Sequence, residues 1–307
     1  MTEAPGDRRT GVAVAEGTPL EVSLAPVARS FGRQIWDRFI HHRVAIVASV
    51  ALVFLVAAFW VVPALSPYEF DQLSPDLRQG PSWDHPFGTD QIGRDLMVRT
   101  FLGGRFSIRI ALLVALLSTA IGTVLGALSG YFGRWIDTVI SQIINLVLVV
   151  PALAVLLVLA LRWGSGPWAL AFILAGLLWV RIARVVRGLF LSQREADFVQ
   201  AARAAGAGSG RIMFRHILPN AIGPIVVEMT LLIGTAIILE STVSFLGLGV
   251  QFPIPTLGNL INEAKGAIDT VPSRILLPGG VAVLLTLCVN FIGDGLRDAV
   301  DPAGNGA

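Results

Sequence analysis

Long apolar runs separated by short polar segments make up most of the chain and predict membrane-spanning helices. Six of the runs are long enough for a span, since a helix needs about 20 apolar residues to cross the bilayer core. They occupy residues 44–65, 107–130, 136–161, 167–186, 221–250 and 275–295. The pattern therefore predicts an all-α integral membrane protein with six transmembrane helices.

The composition supports this class of protein and excludes others. Hydrophobic residues fill 54% of the 307 positions and charged residues only 14%, whereas about 25% charged residues is usual in a soluble domain. The net charge of +2 is too small to indicate nucleic-acid binding. Cys288 is the only cysteine, so an intramolecular disulfide is excluded.

The distribution of Lys and Arg residues predicts the orientation in the membrane. With the N-terminus in the cytoplasm, 15 of them fall on the inner side and 7 on the outer side, while Arg109 lies within the second span. Basic residues are more frequent on the cytoplasmic side of membrane proteins. We therefore expect a multi-pass protein of the cytoplasmic membrane with both termini in the cytoplasm, and residues 195–220 on the same side.

The segments outside the spans carry weaker signals. Residues 1–30 are polar and aperiodic, which predicts a disordered cytoplasmic tail. Residues 31–43 have apolar positions at helical spacing, which fits either an amphipathic helix at the inner membrane surface or the first turns of the first span. Residues 68–105 form an extracytoplasmic loop. Within it we read Gly88-Thr89-Asp90 as a turn and Gly93-Arg94-Asp95 as a local ion pair.

The segment 195–220 is polar, basic and interrupted by glycines, although it lies between apolar runs. Its sequence is EADFVQAARAAGAGSGRIMFRHILPN. Arg residues and exposed backbone are costly in lipid, so the segment projects into water, where another protein can contact it. Its alanines favour a short helix, Gly206 and Gly208 permit a sharp turn, and Pro219 suits the first turn of the next helix.

Polar and small residues also occur within the predicted spans. Glu228 and Glu240 in the fifth span each cost about 2.5–3.5 kcal/mol at mid-bilayer, so they should face the bundle interior or a wet cavity. They are roughly 120° apart around the helix, which disfavours a shared proton-relay site. Asn290 is a polar residue of the last span.

A ridge of small residues in the second span permits close helix packing, either within one chain or between subunits. It comprises Ser118, Gly122, Gly126 and Gly130.

Four parts of the sequence are similar to one family of membrane proteins. The core of segment 195–220 resembles the EAA loop of permease subunits of ATP-driven, binding-protein-dependent importers; it comprises Gln200, Ala201, Ala202, Gly206, Ile217, Leu218 and Pro219. Residues 85–105, 240–260 and 290–302 resemble the dipeptide and oligopeptide branch of that family. By this resemblance the chain is identified as a C-type permease of that branch.

The resemblance implies a type I ABC importer permease fold with a cytoplasmic coupling helix. Residues 31–106 would form the N-terminal helix, first span and outer loop, residues 107–296 the permease domain, and residues 297–307 a C-terminal tail. The coupling helix would lie along the membrane surface and seat in a groove of the ATPase. The residues expected to couple to the ATPase are Gln200, Ala201, Ala202, Arg203, Gly206, Arg211 and Pro219.

The implied function is ATP-driven import of dipeptides or oligopeptides. The implied partners are a second homologous permease, two ATP-binding subunits and an extracytoplasmic solute-binding protein, with lipid around the spans and no nucleic acid. Three alternatives stay open: a related importer of nickel or another small solute, a proton-coupled carrier that uses Glu228 or Glu240, and a membrane scaffold without transport activity.

The sequence holds no recognisable catalytic chemistry. A P-loop requires GxxxxGK[ST], but Lys265 is the only lysine and no such pattern surrounds it. The four histidines are scattered without zinc-ligand spacing, and no Gly-x-Ser-x-Gly elbow occurs. We therefore expect no enzymatic activity, no cofactor and no metal site in this chain, with ATP hydrolysis carried out by separate subunits.

Overall fold

The computed structural model describes residues 31–163 and 166–301, and this part of the chain consists of helices and connecting loops. The disordered tail predicted for residues 1–30 lies outside the described residues. The helices are α1 Phe31–His41, α2 Arg43–Leu65, α3 Leu96–Phe132, α4 Arg134–Val149, α5 Ala152–Trp163, α6 Pro167–Gln193, α7 Asp197–Ala204, α8 Ser209–Arg211, α9 Leu218–Phe245, α10 Leu257–Ala264 and α11 Ser273–Val300. A π-helical turn, Ile212–Ile217, joins α8 to α9, and a 3₁₀ turn, Lys265–Ala267, follows α10.

Five continuous helical stretches in the described part are long and apolar enough to cross a membrane. They are α2, α3, α6, the stretch Ser209–Phe245 and α11. The predicted third span, 136–161, is not one helix, because α4 and α5 meet at an angle of 87°. Pro151 lies at the bend, and the backbone of Val150 is extended, as expected for a residue before proline. Residues 31–163 and 166–301 therefore contain six candidate spans only if this bent pair is counted as one.

The observed helices extend further than the predicted spans. The second predicted span begins at residue 107, but α3 begins at Leu96 and is 37 residues, or about 55 Å, long. The last ten residues of the predicted outer loop are therefore helical. At the other end of the chain, α11 continues to Val300, so the first residues of the predicted C-terminal tail are helical as well.

The N-terminal helix α1 is separate from the first span. His42 breaks the helix with an extended backbone, and its Nδ1 accepts a hydrogen bond from the Ala45 amide at 3.1 Å. Phe39 is buried against Ala299 at the end of α11. Residues 31–41 are therefore not the first turns of the first span, and their location at the inner membrane surface stays a prediction.

Close helix packing joins α3 to α6. The small residues of α3 contact α6 so closely that a Cβ at Gly122, Gly126 or Gly130 would overlap with the α6 backbone. The Ser118 hydroxyl donates to the Ala175 carbonyl on the same seam, at 3.5 Å. Of the two roles left open for this ridge, packing within one chain is the one that the structure contains.

The segment before α3 is folded and differs from its predicted local structure. Turns lie on either side of Thr89, which forms an antiparallel bridge with Asp95. Arg94 forms an ion pair with Asp90 and not with Asp95, so the predicted local pair is wrong. Asp95 instead caps α3, accepting from the Val98 amide at 2.8 Å, because four amides at a helix start lack partners within the helix.

Candidate functional site

The polar segment 195–220 forms a short helix, α7, that is fixed to the bundle on one side. Val199 is fully buried against Ile212, Met213 and Ile217, and Ala202 packs against the same cluster three residues later. Spacing of three residues places Val199 and Ala202 on one helix face. The opposite face of α7 is exposed and carries Gln200, Ala201, Arg203 and Ala204.

Gly206 ends α7 in a Schellman motif. Its φ of 81° is in the left-handed region that favours glycine. The Gly206 amide donates to the Arg203 carbonyl and the Ala207 amide to the Ala202 carbonyl, both at 3.0 Å, which is the hydrogen-bond pattern of this motif. Ala202 and Ala207 also pack on the same apolar cluster. The glycine thus fixes the direction in which the chain leaves α7.

Pro219 lies at the junction of the π-helical turn and α9. Proline lacks an amide donor, so it cannot make the usual bond to a carbonyl one turn earlier. The side-chain amide of the neighbouring Asn220 donates to the His216 carbonyl at 3.0 Å. Arg211 and Pro219 are exposed, as are Gln200, Ala201, Arg203 and Gly206. Of the seven predicted coupling residues, Ala202 is the one that is half-buried.

Two aromatic residues of this surface were not identified from the sequence. Phe198 on α7 is 42% exposed, and Phe214 in the π-helical turn is 67% exposed. The sequence signal that could have identified them is a phenylalanine in a polar, charged segment outside the apolar runs.

Glu228 and Glu240 have different partners, although both lie on α9. Glu228 Oε2 forms an ion pair with Arg181 Nε of α6 at 2.9 Å, and the side chains are 20% and 48% exposed. Glu240 is fully buried, and its two oxygens accept from the hydroxyls of Ser244 at 2.8 Å and Ser107 at 2.9 Å. The two acids therefore do not form one site.

The Ser107 hydroxyl links three helices through Glu240. It donates to the carboxylate on α9 and accepts from the Leu257 amide at the start of α10, at 3.3 Å, while Ser107 itself belongs to α3. Asn290 of α11 is half-buried and packs directly against Gly234 of α9. These polar residues occupy helix–helix contacts.

A further ion pair joins α4 to α6 and was not identified from the sequence. Arg187 Nη2 donates to Asp137 Oδ2 at 2.8 Å, and the hydroxyls of Ser129 and Ser141 donate to Oδ1 of the same carboxylate. The cluster connects the end of α3 with α4 and α6. In the sequence, Arg187 is only one of the 15 basic residues assigned to the cytoplasmic side.

Several long apolar helices indicate a multi-pass membrane protein. A family model described as "Binding-protein-dependent transport system inner membrane component" matches residues 122–304, more than half of the chain. The chain belongs to this family. A second model, for the N-terminal TM domain of oligopeptide transport permease C, matches residues 30–81.

Several proteins are similar to the chain over most of their length. A provisionally named peptide permease protein of Brucella suis biovar 1 is 43% identical over 289 residues, which cover 93% of this chain and 94% of that protein. The oligopeptide transport system permease protein OppC of Escherichia coli K12 is 39% identical, covering 88% and 92%. The dipeptide transport system permease protein DppC of Alkalihalophilus pseudofirmus is 38% identical, covering 88% and 89%.

The family defines the role of the chain within a transport complex. Its members are membrane permease subunits of ABC importers, which act with an ATPase and a binding protein. The chain is thus a transport subunit and not itself a catalyst, and ATP hydrolysis belongs to a separate subunit.

Proposed function

We propose that this chain is a permease subunit that carries dipeptides or oligopeptides across the cytoplasmic membrane. The relatives named as oligopeptide and dipeptide permeases support this class of substrate. In the proposed complex, the chain pairs with a second homologous permease, two ATP-binding subunits and an extracytoplasmic solute-binding protein. Residues 107–296 form the permease domain, and both termini lie in the cytoplasm, which the excess of Lys and Arg on that side supports.

The proposal rests mainly on helix α7, which has one face exposed to solvent and one face packed against the bundle. Its outer face presents Gln200, Ala201 and Arg203 to water, whereas Val199 is locked into the bundle on the inner face. A close-packed cluster deforms little when it is pushed. Movement of an ATPase bound to the outer face therefore passes to α6 and α9, whose side chains complete the cluster.

The three polar residues predicted within the spans receive different roles. We assign Glu228 to the translocation path, because its ion pair with Arg181 is partly exposed. Glu240 and Asn290 hold helices together. A proton-coupled mechanism is disfavoured, since Glu228 is paired with a permanent cation and Glu240 already binds two hydroxyls.

Gly206→Val tests the coupling role of α7. Valine at a φ of 81° introduces backbone strain of about 1–2 kcal/mol, which turns α7 away from its docking direction. We expect the assembled complex to keep hydrolysing ATP in proteoliposomes while dipeptide uptake falls about tenfold. Uptake is measured with a radiolabelled dipeptide, with and without a proton ionophore.

Gly208→Val is the matched control. Gly208 lies in the same loop, has an ordinary φ of −70°, and has open space where a Cβ would lie. This variant should transport at a rate close to that of the unchanged protein. Normal uptake by Gly206→Val would contradict the coupling role, and uptake that needs a proton gradient but no ATPase would contradict the proposed function.

A further inference from the structure

A cavity of about 190 Å³ lies where the segment before α3, α10 and the start of α11 meet. Its wall contains the charged residues Asp90, Arg94, Glu263 and Arg274. The volume corresponds to about six water molecules. The cavity therefore suits one small polar group with a few attached carbons and is too small for a whole peptide.

The two carboxylates in the wall are already neutralised by two arginines. Asp90 Oδ2 accepts from Arg94 Nε and from Arg99 Nη1, each at 2.6 Å. Glu263 accepts from Arg99 at 2.8 and 3.1 Å and from Arg94 at 3.2 Å. Burial acts to raise the pKa of Asp90, but hydrogen bonds from the Arg94 and Ile92 amides and from the Arg94 side chain, with the Arg99 charge, hold it below its ordinary value. Asp90 is thus held as an anion by these partners.

Arg274 supplies a third guanidinium group in the same wall. Arg274 is only 3% exposed, and its Nε and Nη2 atoms have no hydrogen-bond partner among the residues that the structure describes. A buried guanidinium whose donors lack acceptors is costly, because arginine stays protonated and has lost its hydration, and the charge of Asp90 offsets this cost only in part. Arg274 is also the second residue of α11, where the helix dipole adds positive potential. The cavity therefore faces one surplus positive charge.

We propose that this cavity binds one carboxylate and that Arg274 is its principal ligand. Nε and Nη2 are adjacent donors on one edge of the guanidinium, but both are closed to solvent in this structure. The Arg274 side chain must therefore turn toward the cavity before this edge can donate two parallel hydrogen bonds to the two oxygens of a carboxylate. Leu96, Leu260 and Ala264 form an apolar wall for the carbons attached to it. Only the source of the carboxylate rests on the proposed function: it is the C-terminus of a peptide, or an Asp or Glu side chain of the binding protein.

Acetate is the simplest probe of the site. We expect acetate to raise the melting temperature of the purified full-length chain in detergent by about 2–4 °C relative to chloride at equal ionic strength. Arg274→Gln should remove this response, because it removes both the charge and the paired donors. Arg162→Gln is the matched control, since Arg162 is exposed at the end of α5 and lies outside the cavity wall. It should respond to acetate like the unchanged chain.

The acetate titration can overturn the proposal by itself. No response in the unchanged chain, or an equal response in Arg274→Gln, would exclude a carboxylate site at Arg274. If Arg274→Gln does not fold, Arg274→Lys decides instead: it keeps the charge but loses the paired donors, and we expect a clearly reduced response. A full response in Arg274→Lys would then overturn the proposal.

Transport assays on the reconstituted complex distinguish the two sources. If the carboxylate belongs to the peptide, Arg274→Gln lowers uptake of a dipeptide with a free C-terminus and leaves uptake of its C-terminal amide unchanged. If it belongs to the binding protein, the variant lowers binding-protein-stimulated ATP hydrolysis equally with either peptide. Unchanged uptake and hydrolysis would overturn the proposal, since acetate would then mark an adventitious ion only. Failure of the unchanged complex to import peptides would overturn the proposed function and leave the acetate result standing.

Discussion

Glu240 is a carboxylate in the interior of the bundle, and its surroundings explain how the fold tolerates it. A carboxylate buried without partners is strongly destabilising. Here Ser107 of α3 and Ser244 of α9 each donate to one of its oxygens. The acid in turn gives both buried hydroxyls an acceptor. The three residues form a polar contact that depends on all of its members.

We predict that Glu240→Ala destabilises the chain by about 2–4 kcal/mol, because it opens a cavity and leaves buried hydroxyls without their acceptor. Glu240→Gln keeps the volume and one acceptor oxygen and should cost less. Glu69→Ala, at an exposed position, should have almost no effect. The melting temperatures of the three purified variants provide the test, and equal values for Glu240→Ala and Glu69→Ala would refute the structural role of Glu240.

The sequence could identify Glu240 but not its partners. An acid within an apolar run is visible by inspection, and its cost in lipid requires some compensation. Ser107 lies 133 positions earlier in the chain, and nothing local links the two residues. Arg274 could not be identified from the sequence for a similar reason, since a charge near a helix end is ordinary until the structure shows it to be buried with two unpaired donors.

The contact between α3 and α6 depends on residues without side chains. Gly122, Gly126 and Gly130 occupy successive turns of α3 and face the backbone of α6. In lipid no hydrophobic effect drives helices together, so close packing between small residues contributes much of their association. The sequence shows the four-residue spacing of these small residues, which defines one face of α3. It does not show that α6 is the helix that packs against this face.

We predict that Gly126→Ala destabilises the bundle by about 1–3 kcal/mol. A Cβ at this position would lie 2.5 Å from the Ala183 carbonyl oxygen and 2.9 Å from the Val186 Cβ, so the two helices must move apart. Gly188→Ala is the matched control on α6, since a Cβ there meets open space. Its higher helix propensity should leave the stability equal or slightly raised. Thermal unfolding in detergent compares the two, and similar melting temperatures would contradict this account of the seam.

The bend between α4 and α5 shows where hydropathy alone was insufficient. Averaged over residues 136–161, the sequence is apolar enough for one straight span. Pro151 changes the outcome, because it restricts the preceding residue to extended backbone and removes an amide donor. The sequence shows Pro151, and a proline inside an apolar run favours a helix break that a hydropathy average does not register.

The arrangement of the whole chain follows from two simple patterns. Apolar run length located the membrane helices, and the excess of basic residues predicts which ends face the cytoplasm. The folded segment before α3 and helix α10 could not be derived in this way. Their structure depends on long-range contacts such as Arg99 with Glu263, which are 164 positions apart.

We predict opposite accessibility for two engineered cysteines. Asp71→Cys, in the exposed loop before α3, should react with a membrane-impermeant maleimide in intact cells, whereas Ser209→Cys at the start of α8 should react only after permeabilisation. The unchanged chain is the control, since its single cysteine, Cys288, is buried. The reverse labelling pattern would invert the proposed orientation.

Helix α3 extends well beyond the bilayer core, which is about 30 Å thick. At its first turns Arg99 holds α10 through Glu263, and at its far end Ser129 contacts the Asp137–Arg187 pair. A rigid rod of about 55 Å that tilts by about 5° around one end displaces its other end by about 5 Å. In the proposed orientation, a small angular change near the cytoplasm is thereby amplified into a shift at the opposite membrane face as wide as a side chain.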